Sequence, residues 1–201
     1  LIKLERLIDA KVLLDQAKSK GIRGPDFDQL EQKLNDANKA LSIKPDHAEA
    51  YHNMGNLLQE QNKLEDAIEA YNKALAIKPD YADAYYNMGI ALQKQSKLEE
   101  AIEAYNKAIA IKPDYVEAYY IMGIVLQEQS KLEEAVEAYS KAIAIKPDYV
   151  EAYYNMGNAR QEQNKPEKAI EAYNKAIAIK PDYAEAYYNM GNALQEQNKL
   201  E

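Results

Sequence analysis

The sequence predicts an all-α stack of helix pairs, and three observations carry that expectation. The first is a strict period of 34 residues: Met54, Met88, Met122, Met156 and Met190 recur at that spacing. Gly55, Gly89, Gly123, Gly157 and Gly191 each follow the Met directly, and Pro45, Pro79, Pro113, Pro147 and Pro181 keep the same step. The second is that apolar residues fall at helical spacing twice within each period. The third is composition. Hydrophobic residues make up 47% of 201 residues, enough for a core, and all 17 Tyr lie between Tyr51 and Tyr188. A self-similar chain of this period is read as an array of stacked supersecondary units. One helix pair cannot bury its apolar face alone, so the units are expected to stack into a solenoid.

The elements follow in chain order. Residues 1–47 differ from the rest, with no Tyr and a charge of +1 from nine basic and eight acidic residues. LIKLERLIDAKVLLDQAKSK reads as an amphipathic helix stopped near Gly21 and Gly24. Pro25 and Asp26 start a second helix, whose end NKALSIKPD (38–46) nearly repeats NKALAIKPD (72–80). This segment is expected to act as a degenerate cap on the array, as terminal repeats do. Four full units run 48–81, 82–115, 116–149 and 150–183, and a partial one runs 184–201. Units 82–115 and 150–183 differ at only eight positions.

Each unit reads as two helices. In 84–95, Ala84, Tyr85, Met88, Ala91 and Leu92 share a face; in 98–111, Leu98, Ala101, Ile102, Tyr105, Ala108 and Ile109 do. Asp80 with Asp83, and Asp114 with Glu117, read as acidic N-caps of first helices. Asn62 with Glu65, and Ser96 with Glu99, read as the same device on second helices. The Lys112–Pro113 step turns the chain out of helix. Glu103 stands four residues before Lys107, the favourable order for an exposed ion pair.

The unit resembles the tetratricopeptide repeat. Tyr51-x2-Met54-Gly55-x2-Leu58, then Ala67-x3-Tyr71, then Pro79 match that family's 34-residue signature of Trp, Leu-Gly, Tyr, Ala, Phe and Pro, with apolar-for-apolar exchanges. The resemblance covers 48–201. It implies a right-handed superhelix whose first helices line a concave groove that holds an extended peptide. The Gly in every unit sits mid-helix, where Gly costs about 1 kcal/mol relative to Ala, so a backbone contact too close for a Cβ is expected there. Ala67, Ala101, Ala135 and Ala169 are expected to serve the same approach from the second helix.

Carried over residue by residue, the groove positions are these. An acidic series is Glu49, Asp83, Glu117, Glu151 and Glu185. Beside it run His52, Tyr86, Tyr120, Tyr154 and Tyr188, and then Asn53, Asn87, Ile121, Asn155 and Asn189. One turn on stand Asn56, Ile90, Ile124, Asn158 and Asn192, and last Gln59, Gln93, Gln127, Gln161 and Gln195. A carboxamide offers a donor and an acceptor side by side, matching a peptide backbone. The Asn series therefore reads either as a peptide-holding ladder or as soluble filler of an exposed face. A similar Asn ladder marks the superhelical arm of O-linked N-acetylglucosamine transferases. Neighbouring helices pack about 8–10 Å apart and an extended chain advances about 3.3 Å per residue, or about three peptide residues per repeat. Ile90, Ile121 and Ile124 form a mid-groove apolar patch, read as a side-chain anchor or as drift. Tyr51, Tyr85, Tyr119, Tyr153 and Tyr187 are expected in the core, with Tyr71, Tyr105, Tyr139 and Tyr173. Tyr86, Tyr120, Tyr154 and Tyr188 are expected to be exposed, and Tyr81, Tyr115, Tyr149 and Tyr183 to border the groove. Arg160 replaces the Leu of other units and is read as a packed stem whose guanidinium reaches toward Glu162 or a ligand. Pro166 falls in a helical first turn, where it is tolerated.

Function classes narrow from here. A net charge of −8 disfavours nucleic acid, whose phosphates need clustered Lys and Arg. With no Cys there is no disulfide, thiolate metal site or cysteine nucleophile. His47 and His52 are five apart, which misses the four-residue spacing of a helical metal pair. No phosphate loop, Ser-His-Asp set or apolar span long enough for a membrane is present. Members of the resembled family that clamp carboxylate tails use Lys and Arg where this chain has His52, Tyr86, Asn87, Glu117 and Ile121. The expectation is a non-enzymatic, cytoplasmic module without cofactor or metal, binding a neutral or basic extended protein segment. The alternatives are the recognition arm of a larger, glycosyltransferase-like enzyme, or an engineered or self-associating scaffold joined through the 184–201 end.

Overall fold

A computed structural model describes residues 47–200, together with isolated positions before them (Leu14, Lys18, Gly21, Gly24, Asp28, Gln29 and Gln32). The cap expected over 1–47 otherwise lies outside the described residues. Nine helices are described: α1 Ala48–Glu60, α2 Leu64–Ile77, α3 Ala82–Lys94, α4 Leu98–Ile111, α5 Val116–Glu128, α6 Leu132–Ile145, α7 Val150–Glu162, α8 Pro166–Ile179 and α9 Ala184–Leu200. No strand occurs among the described residues. The chain divides into two compact units, Leu1–Ala91 and Leu92–Glu201.

The turn inside each pair is built the same way. Asn62, Ser96, Ser130 and Asn164 have φ of 58°, 60°, 59° and 56°, the left-handed region. The next residue's N–H reaches back five positions, Lys63 to the Leu58 carbonyl at 2.8 Å and Lys131 to Leu126 at 2.9 Å. Asn62 N–H meets the Gln59 carbonyl at 2.9 Å and Ser130 N–H the Gln127 carbonyl at 2.8 Å. This is the Schellman closure of a helix C-terminus. It overturns the reading of Asn62 and Ser96 as N-caps. Lys63, Lys97, Lys131 and Lys165 are the N-caps of α2, α4, α6 and α8, and none makes a side-chain cap bond. The acidic caps are corrected likewise: Tyr115 caps α5 in the place expected of Asp114, without a side-chain cap bond, and Tyr149 caps α7. At α3 it is the Tyr81 carbonyl that accepts from Ala84 N–H (3.1 Å) and Tyr85 N–H (3.3 Å). The carboxylates still sit in first turns, where the helix dipole favours them. Pro166 opens α8 and is buried.

The core of a pair is a tyrosine ring laid on a glycine. Tyr71, Tyr139 and Tyr173 are fully buried. A Cβ added to Gly123 or Gly157 would come within 2.5 Å of the ring of Tyr139 or Tyr173, and Gly55 faces Tyr71 in the same way. The close contact at the mid-helix Gly is therefore with an aromatic ring, and not the backbone contact expected from sequence. Ala67, Ala101, Ala135 and Ala169 are fully buried beside it. In the first unit Leu58, Ala67, Ala70, Tyr71 and Ala91 cluster, with Met54, Ile68 and Met88 packed on them. In the second, Ala169, Tyr173 and Ala193 cluster with Tyr154, Ile170 and Met190. Tyr51, Tyr85, Tyr119 and Tyr153, expected in the core, are only half-buried, and Tyr187 is 47% exposed. The Glu103–Lys107 ion pair forms at 2.7 Å, with Glu69–Lys73 at 2.6 Å. No described helix is long and apolar enough to cross a membrane.

Candidate functional site

The candidate face is built by first helices. Within the second unit, α5, α7 and α9 carry Tyr120, Tyr154 and Tyr188 one repeat apart, with Asn155 and Asn189 beside them. One turn further stand Ile124, Asn158 and Asn192. In the first unit, α1 and α3 carry His52, Asn53, Asn56, Tyr86, Asn87 and Ile90. Asn53 is exposed, while Tyr86, Asn87, Ile90, Ile121, Ile124, Asn155, Asn158, Asn189 and Asn192 are half-buried.

The aromatic row is less exposed than its sequence suggests. His52 is buried, with its ring 4.9 Å from that of Tyr81 and 5.9 Å from that of Tyr71. Tyr120 stacks in the same tilted way on Tyr149 (4.8 Å) and Tyr139 (6.1 Å). Tyr154 does so on Tyr183 (5.0 Å) and Tyr173 (6.0 Å). Each triad joins a first helix, its own second helix and the turn entering the next unit. Lys78, Lys146 and Lys180 lie over the turn tyrosines Tyr81, Tyr149 and Tyr183 at 4.7, 4.8 and 4.7 Å, and Lys112 lies over Tyr115 at 4.2 Å. The turn tyrosines thus sit under a cation, and Tyr115 is buried. Tyr188 alone in its series is open, at 71% exposure, with no turn tyrosine packed on it among the described residues.

The Asn series is wired into the protein. Asn87 donates through Nδ2 to His52 Nε2 at 2.8 Å and to Asn56 Oδ1 at 3.0 Å. Asn56 Oδ1 also accepts from the Tyr71 hydroxyl at 2.8 Å, which Gln59 Oε1 approaches at 3.2 Å. Asn189 repeats the motif with the Tyr154 hydroxyl and Asn158 Oδ1, both at 3.0 Å, and Tyr173 donates to Asn158 at 2.8 Å. Both N–H bonds of these two carboxamides are therefore used internally, and neither carbonyl oxygen is bonded among the described residues. Asn155 differs. It donates to the Tyr120 hydroxyl at 3.0 Å, and the place of the second acceptor is taken by Ile124.

Electrostatics follow burial. Because Asn87 donates to His52 Nε2, the ring proton sits on Nδ1, facing the Tyr81 oxygen at 3.1 Å. Desolvation lowers the His52 pKa against the raising influence of Asp83, Asn53 and Glu49, so the ring is held neutral. Burial likewise raises the Tyr71, Tyr139 and Tyr173 hydroxyls, and pushes Tyr183 up to about 12 with help from Tyr154 and Glu151.

The Gln series expected on this face is joined by glutamates of the next first helix, which the sequence did not single out as groove residues. Gln93 Nε2 reaches Glu128 Oε1 at 3.3 Å, Gln127 bonds Glu162, and Gln161 Nε2 reaches Glu196 Oε1 at 3.3 Å. The signal was a Gln answered by a Glu 35 residues on, one repeat plus one position. A depression of about 360 Å3 lies between α5 and α7, lined by Ile124, Gln127, Glu128, Tyr139, Asn155 and Glu162. Arg160 is half-buried as expected, but its Nη1 donates to Gln163 Oε1 at 3.0 Å and makes no bond to Glu162. No cluster of three metal-ligating side chains occurs among the described residues.

Comparisons agree with this architecture. A TPR repeat model matches residues 55–96, 125–164 and 157–198, and tetratricopeptide repeat models match 82–115, and 37–69 with 104–137. No curated protein sequence matches the chain. Among solved structures, one MamA protein is similar at 29% identity with a TM-score of 0.73, covering 77% of this chain and 85% of that one. A second MamA structure is 30% identical with a TM-score of 0.68, covering 86% and 96%. PilF of Pseudomonas aeruginosa is 25% identical with a TM-score of 0.66, covering 77% and 71%. Such repeats are protein-interaction modules. With the period, the ring-on-glycine core and these matches together, the chain belongs to the tetratricopeptide-repeat family.

Proposed function

We propose that the chain is a non-enzymatic interaction module that holds an extended, neutral or basic segment of a partner protein across its first helices. The observation that carries this is the carboxamides whose carbonyl oxygens remain after N–H groups are used within the protein, Asn87 in the first unit and Asn189 in the second. In the second unit Asn189 stands one repeat from Asn155, a spacing suited to the N–H groups of a peptide backbone. The engaged donors of Asn87 and Asn189 also fix their orientation, so little side-chain entropy is lost on binding. Tyr188 adds exposed aromatic area with a polar tip. Glu117, Glu151 and Glu185 are exposed along the same helices and disfavour anionic partners such as nucleic acid.

The test is a peptide-array screen of the chain, repeated with Asn87, Asn155 and Asn189 each changed to Ala. Binding that survives the triple change in a folded variant removes the carboxamide row from the mechanism. A second reading, self-association through α9, is favoured by the exposure of Tyr187, Tyr188 and Leu194 on that helix. Light scattering on a dilution series separates the two, since a monomer at every concentration excludes association.

A further inference from the structure

We infer that the depression between α5 and α7 is an anchor for one aliphatic side chain of the bound segment, with a Lys or Arg next to it in sequence. The inference rests on the reading of this face as segment-binding and names what the segment must carry. Four observations converge on it. The depression, about 360 Å3, is large enough for one side chain, and Ile124 and Tyr139 give it an apolar floor. Tyr139 is fully buried and its hydroxyl already donates to Gln127 Oε1 at 3.0 Å, so the floor carries no unmet donor.

Asn155 supplies the second observation. Its N–H toward the Ile124 side has no acceptor among the described residues, whereas Asn87 and Asn189 have Asn56 and Asn158 there. Asn155 therefore offers a donor and an acceptor together, the pair that one peptide unit needs. The third is charge. Glu128 and Glu162 stand exposed on the rim, each steered by a neutral glutamine amide and neither in an ion pair among the described residues. Two unneutralised carboxylates beside an apolar seat select a cation next to the aliphatic residue and reject a carboxylate. The fourth is local uniqueness. In the next unit Asn158 occupies the position of Ile124 and is bonded by Tyr173 and Asn189, so the seat is closed by polar contacts.

The experiment uses the full chain and a positional-scanning library of acetylated octapeptides, read by fluorescence anisotropy. Selected peptides are expected to carry Leu, Ile, Val or Met with Lys or Arg adjacent. Ile124→Asn should lower their affinity roughly tenfold or more, the scale of one aliphatic side chain in an apolar site. That variant installs what α7 already carries at Asn158, and circular dichroism confirms its fold. The double change Glu128→Gln with Glu162→Gln should abolish the preference for Lys over Gln and flatten the salt dependence. The converse Asn158→Ile should create a second seat and add selection for an aliphatic residue about three positions away, from the repeat spacing and the rise of an extended chain. If peptides bind and Ile124→Asn leaves their affinity unchanged, the anchor is wrong while the segment-binding reading stands. If no peptide in the library binds the parent chain, both fail.

Discussion

The pair α5–α6 and the pair α7–α8 share one core and differ on one face. Tyr139 lies on Gly123 as Tyr173 lies on Gly157, and the Tyr120 triad superposes in kind on the Tyr154 triad. Yet Asn158 gives Tyr173 an acceptor at 2.8 Å that Ile124 cannot give Tyr139. Packing and surface chemistry are thus separable layers: the ring on glycine makes the pair, and the residue one turn along the first helix sets what the face can bind. The strongest way to break this separation is to attack the shared layer. Gly123→Ala and Gly157→Ala should each cost about 2–3 kcal/mol, because a Cβ collides with a ring packed in a full core. Urea denaturation checks both, and clearly unequal losses would show that the core is not common. Gly191 is the internal control. Nothing lies within 4 Å of its Cβ position, so Gly191→Ala should stabilise by about 1 kcal/mol through helix propensity alone.

The differing layer gives the next largest effect. The Tyr173 hydroxyl has Asn158 at 2.8 Å and Gln161 at 3.0 Å, while that of Tyr139 has Gln127 alone at 3.0 Å. Tyr173→Phe removes the one hydroxyl hydrogen that Asn158 and Gln161 share and should cost about 1–2 kcal/mol. Tyr139→Phe should cost about 0.5–1 kcal/mol. Equal losses in thermal denaturation would mean that the Asn contributes nothing to holding the ring.

How far this was legible in sequence follows the same division. The 34-residue step, the mid-helix Gly and the Tyr71 series exposed the shared core as patterns repeated in phase, while the contact of ring with Gly was not legible in them. The polar layer was hidden because its partners lie one repeat away: Asn189 meets Tyr154 across 35 residues and Asn158 across 31. No helical periodicity reports such a pair. Tyr120 and Tyr154 read as exposed because their cover comes from Tyr149 and Tyr183, in the turn beyond their own helix. The caps misled for a chemical reason, as Asn and Ser suit both an N-cap and a left-handed closure. Gln-Asn-Lys-Leu makes the point most sharply. At 61–64 it turns, with Asn62 at φ 58°, and at 197–200 it continues α9 as helix. The tetrapeptide alone therefore does not fix the turn.

The first unit extends the comparison to pH. His52 stands where Tyr120 and Tyr154 stand, buried and neutral, accepting from Asn87 at Nε2. Its pKa is lowered in the fold, so protons bind the unfolded chain first as pH falls. Its contribution to stability is full above the unfolded His range and is lost as pH falls through the folded pKa. A protonated Nε2 would also face the Asn87 donor. Amide protection in α1 and in Ala82–Ala91 of α3, taken relative to the intrinsic exchange rate at each pH, should therefore fall between pH 7 and 5, and His52→Tyr should abolish that fall. A fall that persists in His52→Tyr would place the acid-sensitive group elsewhere.

The smallest effect lies in the turns, and it tests whether the two layers end where the helices do. Ser130 and Asn164 occupy the same left-handed position, at φ 59° and 56°. The side chain of Asn tolerates that region better than that of Ser, and Gly tolerates it best. Ser130→Gly relieves the backbone and should stabilise by about 0.5 kcal/mol after the extra chain entropy of Gly is subtracted. Asn164→Gly gains less relief against the same entropy and should change stability by only a few tenths of a kcal/mol, of either sign. Denaturation midpoints measured side by side give the difference. If Ser130→Gly destabilises instead, the Ser130 hydroxyl holds something that the backbone angles do not reveal, and the turn would belong to the variable layer of the repeat.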